Sequence, residues 1–183
     1  MPASIQSVLS LTHFFRSAGI DNFIYGGWAL DLHLQRQSRL HDDIDNFIPH
    51  TEHEKFISIL ESNSSDATIL HDAPYKTTWI SPTIVPDSYI ETHYYRIIDN
   101  SIVSLGYPKD WIKAPIDVFT SVPYFPHKKE DGHSDFIPVV SKELVVAMCE
   151  RWGFHRSDIT NCKELKSTCD PEILSKISLK EFY

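Results

Sequence analysis

The feature that most constrains this chain is a glycine pair followed, a dozen residues on, by two aspartates one residue apart: Gly26-Gly27-Trp28-Ala29-Leu30-Asp31, then Arg39-Leu40-His41-Asp42-Asp43-Ile44-Asp45. The apolar run Phe23-Ile24-Tyr25 predicts a short strand ending on the glycines. Two glycines let the backbone turn tightly and leave amide N–H groups free at the start of a helix, an arrangement suited to phosphate. That helix is predicted over 28–36, with Leu30 and Leu34 on its buried side. A second strand is predicted from Asp43 to Ile48, closed by Pro49, with Asp43 and Asp45 on one face and Ile44 on the other. Two hard oxygen ligands on one face suit Mg²⁺. Asp42 turns away from its neighbour and reads as a solvated acid.

Around this motif the periodicity alternates. Ile5, Val8, Leu9, Thr12 and Phe15 share one helical face, predicting a helix over 4–18 that ends at Gly19. Thr51 and Glu54 have the spacing of a capping box and predict a helix running to Glu61. Short β-rich pieces follow at 67–70, 75–80, 89–98, 101–105 and 116–120, an antiparallel extension of the sheet. A charged loop spans 123–134. From Ser141 the period is helical again, through Trp152 and then over 157–167, and Asp170-Pro171 opens a last short helix. With 183 residues, the expected organisation is one domain over 1–140 and a C-terminal helical extension over 141–183 packed on it.

Charge and cysteine usage narrow the function classes. A net charge of −8 argues against gripping long nucleic acid, which needs clustered Lys and Arg. Cys149, Cys162 and Cys169 form no C-x-x-C pair and read as reduced thiols, and no H-E-x-x-H occurs among the histidines, so zinc is not expected. No apolar run reaches the length of a membrane span, and Met1-Pro2-Ala3-Ser4 carries no positive charge, so a cytoplasmic protein is expected.

Residues 26–45 resemble the signature of the nucleotidyltransferases that modify aminoglycoside and lincosamide antibiotics, a branch of the polymerase-beta-like superfamily. Gly26, Gly27, Trp28, Ala29, Asp31, Arg39, His41, Asp43, Ile44 and Asp45 all match it. The resemblance implies an α/β (α+β) nucleotidyltransferase fold, a mixed and mostly antiparallel sheet flanked by helices, with further helices at the C-terminus. It implies Mg²⁺-dependent transfer of a nucleoside monophosphate, AMP from ATP, onto a hydroxyl of a small polar acceptor, and hence antibiotic resistance. Asp43 and Asp45 become catalytic residues and metal ligands. A third carboxylate, ligand or general base, is expected on a later strand: Glu91 in Tyr89-Ile90-Glu91-Thr92-His93 is favoured over Asp117 in Pro115-Ile116-Asp117-Val118-Phe119.

Gly26, Gly27, Trp28, Arg39 and His41 are expected at the nucleotide. Arg39 and His41 would orient the aspartates, with contact to phosphate as the alternative role for Arg39. Trp28 has a second reading as a core anchor, and Asp31 as a charge near the positive helix end. Lys163 and Arg156 are candidates for the triphosphate, with surface charge as the plainer reading. Two positions depart from the family pattern: Gln35, where relatives have glycine, and Asn46, where they have an apolar residue. The partners implied are a nucleoside triphosphate and a small hydroxylated acceptor. Competing readings are an interaction protein on the same fold, antitoxin-like or regulatory, and a transferase modifying a protein. Retention of both Asp43 and Asp45 counts against an inactive site.

Overall fold

The computed structural model describes residues 3–63, 66–105, 112–123, 136–152 and 158–179. The first helix, α1 (Ile5–Ser17), starts where Ser4 and Ser7 cap one another: each hydroxyl accepts the other's backbone N–H, at 3.3 and 3.2 Å. It is followed by the two-residue strand β1 (Phe23–Ile24), the helix α2 (Gly26–Leu34) and the carboxylate strand β2 (Asp43–Pro49). Helix α3 (His53–Asn63) grows out of a 3-10 turn over His50–Glu52, so its start is set by that tighter turn and not by a Thr51 cap.

The chain then builds most of the sheet: β3 (Thr68–Ala73), β4 (Lys76–Ser81), β5 (Val85–Ile98) and β6 (Ser101–Ser104), with β7 (Ile112–Pro115), β8 (Phe119–Pro123) and β9 (Phe136–Val140) beyond. Asp99 and Asn100, both left-handed at φ 49° and 56°, make the two-residue turn between β5 and β6. The last elements are α4 (Lys142–Trp152), α5 (Asp158–Lys166), α6 (Pro171–Lys176), capped by Asp170 with proline at its first turn, and the strand β10 (Ser178–Leu179).

The strands form one mixed sheet in the order β10-β7-β6-β5-β2-β1-β9-β8, with β4 also on β5 and β3 on β4. Most pairings are antiparallel; β2–β5 and β1–β9 are parallel. Helices α1 and α3 cover one face, where Phe15 meets Phe56 at 5.5 Å and Trp79 of β4 meets Phe14 and Phe56 at 5.7 and 5.6 Å. Ile44, Ile48, Ile90 and Tyr94 are fully buried. Strand alternation turns Asp43, Asp45, Glu91 and His93 to the opposite face. Asn46 is buried too: its amide oxygen accepts from Thr92, whose own oxygen accepts the Trp79 indole N–H. Helix α4 packs on α2, α5 and α6. No helix among the described residues is long and apolar enough to cross a membrane.

Several expectations are corrected. Pro115 ends β7 and the chain passes through a 3-10 turn over Ile116–Val118 before β8, so Asp117 sits exposed on a turn and not on a strand. The strands β7, β9 and β10 were not legible in the periodicity. Cys149 and Cys162 are joined in a disulfide, because neighbouring α4 and α5 bring the two thiols together, while Cys169 is free. Most of the 123–134 loop, and Arg156, lie outside the described residues.

At the end of α2, Gln35 keeps the left-handed conformation, φ 56°, that glycine would adopt freely; its amide donates to the Leu32 carbonyl at 2.7 Å in partial compensation. Gln35→Gly should therefore raise unfolding stability by about 0.5–1 kcal/mol, the relief of backbone strain exceeding the lost hydrogen bond and the greater entropy of an unfolded glycine. Denaturant titration reads this directly, and a lower midpoint would contradict it.

Candidate active site

The site is assembled by strand register. In the parallel β2–β5 pair, Asp43 lies beside Tyr89, Asp45 beside Glu91 and Phe47 beside His93. Glu91 and His93, two apart on one strand, share a face with Asp45 on the next. One ligand atom from each of Asp45, Glu91 and His93 lies within 4.8 Å of the other two. Glu91 is held at both oxygens: the Lys76 ammonium of β4 donates to Oε1 at 3.0 Å, and His93 Nε2 lies 3.4 Å from Oε2.

The glycine turn is explained by what lies against it. Gly26 has φ +67°, and a Cβ built on it would fall 2.4 Å from Asp45 Oδ2. A Cβ on Gly27 would fall 2.6 Å from Arg39 Nη2 and 2.9 Å from the His41 ring. The glycines thus admit an acid and a base side chain, beyond freeing the backbone. Tyr25 fixes Asp45 from the other side. Its backbone N–H donates to the Asp45 carbonyl at 3.0 Å, and its hydroxyl hydrogen-bonds the Asp45 carboxylate. The Tyr25 ring stacks on Phe47 at 4.2 Å and meets the His93 ring edge-on at 5.5 Å. Helix α2 begins at Gly26 without a side-chain cap, so its first-turn amides are available to an anion.

Behind the turn lies a buried polar frame. Asp31, fully buried near the end of α2, accepts from the Ser38 N–H and hydroxyl and pairs with His41 Nε2 at 2.8 Å. It therefore braces the 35–41 connection and does not serve as a helix-start charge. His41 is itself 1% exposed, and Trp28, equally buried, lies 4.4 Å from its ring. Both sit beneath the turn and not on its open surface. Arg39 Nε lies 3.2 Å from both oxygens of buried Asp158 at the start of α5, and its Nη1 donates to the Leu40 carbonyl. Its guanidinium remains beside Gly27, partly exposed.

Like charges at this density distort titration. Burial, then Asp43 and Glu91, push Asp45 well above the usual carboxylate range; burial and Glu91 raise Asp43 as well. Glu91 moves the other way, to about 2, through hydrogen bonding from His93 and contact with Lys76. Burial lowers His93 against the pull of Glu91. Two converging carboxylates, Asp45 and Glu91, with Asp43 on the same strand face, a Cβ-free gap over Asp45 and the His93 imidazole alongside make a donor set that fits a divalent cation.

Of the residues singled out by sequence, Asp43, Asp45, Glu91, Gly26 and Gly27 come together here, with Arg39 at the margin. Asp117 does not: it is exposed on the 3-10 turn between β7 and β8. Lys163 is exposed on α5. Sequence reasoning missed Tyr25, Lys76 and Asp158, and it used His93 only as a marker for Glu91 without giving it a role. The E-x-H alternation was a usable signal for His93, whereas Lys76 arrives only through the β4–β5 register, in which it lies beside His93.

The sequence model of the aminoglycoside-2''-adenylyltransferase family matches residues 7–160. No curated protein matches the sequence. Among solved structures, the chain is similar to lincosamide antibiotic adenylyltransferase LnuA bound to lincomycin, with TM-score 0.70 and 21% identity over 92% of this chain and 100% of that one. It is also similar to ANT(2'')-Ia in complex with adenylyl-2''-tobramycin (TM-score 0.61, 16% identity, 94% of each chain). A third is an antigenic nucleotidyltransferase-like protein from Paracoccidioides brasiliensis (TM-score 0.56, 20% identity, 93% of this chain and 80% of that). At these identities the likeness establishes a shared fold.

Gly26→Ala should cost about 2 kcal/mol of stability, from left-handed strain together with displacement of the Asp45 carboxylate. Urea unfolding of the two proteins measures it; an unchanged midpoint would mean that Asp45 does not depend on the gap.

Proposed function

This chain belongs to the aminoglycoside-2''-adenylyltransferase family and is a nucleotidyltransferase, and from that premise we propose that it moves AMP from ATP onto a hydroxyl of a small antibiotic-like acceptor with the help of a divalent cation. The observation that carries the reading is the convergence of Asp45 with Glu91 across the β2–β5 pair, at the uncapped start of α2 and with Asp43 on the same strand face.

Asp43, Asp45 and Glu91 hold the cation in this proposal, with Mg²⁺ as the expected ion. When bound, it draws charge from the α-phosphate and the departing pyrophosphate. The first amides of α2 and the exposed part of Arg39 receive the triphosphate, which fits the anion preference of a helix start. Glu91, ionised across the neutral range, accepts a hydrogen bond from the acceptor hydroxyl. That oxygen attacks the α-phosphorus, the bond to the bridging oxygen of pyrophosphate breaks, and the hydroxyl proton passes to the carboxylate. Trp28, His41 and Asp31 act from beneath, holding the turn rigid.

The test is transfer of label from α-labelled ATP, with Mg²⁺, to a panel of lincosamides and aminoglycosides. Asp43→Asn, Asp45→Asn and Glu91→Gln should each lower turnover by about a hundredfold or more, while Asp117→Asn should stay within about threefold of the parent. Transfer at the parental rate by the aspartate variants would overturn the site assignment. No labelled product with any acceptor would overturn the antibiotic reading.

A further inference from the structure

We propose that Asp45, Glu91 and His93 form a mixed nitrogen–oxygen site that takes a first-row transition-metal ion in preference to Mg²⁺, with the His93 imidazole as a direct ligand. The proposal rests on the nucleotidyltransferase reading for the presence of a divalent ion, and goes beyond it in the ligand and in the metal.

The geometry comes from the sheet. Glu91 and His93 are alternate residues of β5 and Asp45 is the register partner of Glu91, so three side chains rise from adjacent positions on one face. Their ligand atoms lie within 4.8 Å of one another, and His93 Nε2 is 3.4 Å from Glu91 Oε2. Two ligands bound at about 2.1 Å sit about 3 to 4.2 Å apart depending on the angle between them, so small side-chain rotations close this set on one ion. Each member is already steered toward that centre. Lys76 anchors the Oε1 side of Glu91, leaving Oε2 toward His93. Tyr25 holds Asp45 and, with Phe47, packs the His93 ring, which lies 5.5 Å and 6.1 Å from theirs.

The donor set decides the metal. Mg²⁺ is bound through oxygen in a near-octahedral shell, and imidazole offers it little. Co²⁺ and Zn²⁺ favour imidazole nitrogen, Mn²⁺ tolerates it within an oxygen-rich shell, and affinity for such a mixed site rises along the first row from Mn²⁺ to Cu²⁺. Asp43, on the same face of β2 as Asp45, leaves an all-oxygen pair with Asp45 for a second, harder ion. The two positions would share Asp45.

The experiment uses the full chain without nucleotide and Mn²⁺ as the probe. Loss of the free-ion electron paramagnetic resonance signal gives the Mn²⁺ affinity, and competition gives that of Mg²⁺; Mn²⁺ should bind about tenfold or more tightly. The electron spin echo of the Mn²⁺-loaded protein should carry nitrogen modulation, which changes to the ¹⁵N pattern when only the histidines are ¹⁵N-labelled. His93→Gln should abolish the modulation, and His93→Asp should shift the preference back toward Mg²⁺. The labelled parent protein keeps the test decisive if either variant folds poorly. Tightly bound Mn²⁺ without histidine nitrogen coupling would overturn this inference alone. Failure to bind either ion, together with absence of transfer in the labelled-ATP assay, would overturn the nucleotidyltransferase reading as well.

Discussion

The carboxylate of Asp45 occupies the volume that a side chain at residue 26 would fill, and the arrangement of the site depends on that close approach. Gly26 supplies both things it requires, a left-handed φ of +67° and no Cβ. Once Asp45 is seated there, Tyr25 can bond it through main chain and side chain, and β2 enters the sheet with its second aspartate level with Glu91. Gly27 repeats the logic for Arg39 and His41. The glycine pair is therefore a packing device, and each glycine answers to different side chains of the following segment.

That approach concentrates negative charge, and the surrounding structure is built to hold it. Asp45 and Glu91 converge and Asp43 lies on the same strand face; the two aspartates are pushed toward the protonated form, and Glu91 stays ionised because His93 and Lys76 lie against it. The frame beneath is polar and for the most part paired: Asp31 with His41 and Ser38, Arg39 with Asp158, and the Asn46 oxygen with Thr92, which itself accepts from Trp79, while Asn46 Nδ2 and Trp28 Nε1 are buried without a hydrogen-bond partner among the described residues. Buried groups of this kind contribute little net stability, since desolvation offsets most of their attraction, but breaking one partner is costly. Their effect here is geometric. They fix the connection between α2 and β2, and through Asp158 they tie it to the start of α5, on the C-terminal side of the chain.

What the sequence determined by itself was the local chemistry of residues 26–45 and the order of the stronger elements. Glycine spacing and the alternation around Ile44 placed Asp43 and Asp45 on one strand face, and the helical stripe of α1 and the β-rich middle were legible from their periods. Glu91 was preferred to Asp117 from the order of elements, but it took the β2–β5 pairing to bring it beside Asp45 and a 3-10 turn to set Asp117 apart. Tertiary structure alone decided the rest. Lys76 reaches the site through a hairpin register, and Asp158 through the packing of a helix more than a hundred residues away in the chain. Trp28 and His41 matched a motif but proved to lie beneath the turn. Cys149 and Cys162 looked unpaired by spacing because two helices, and not a local loop, bring them together. Short-range pattern fixes which way a side chain points relative to its own backbone; which other side chain it meets depends on strand register and helix packing, and those follow from contacts among residues distant in sequence.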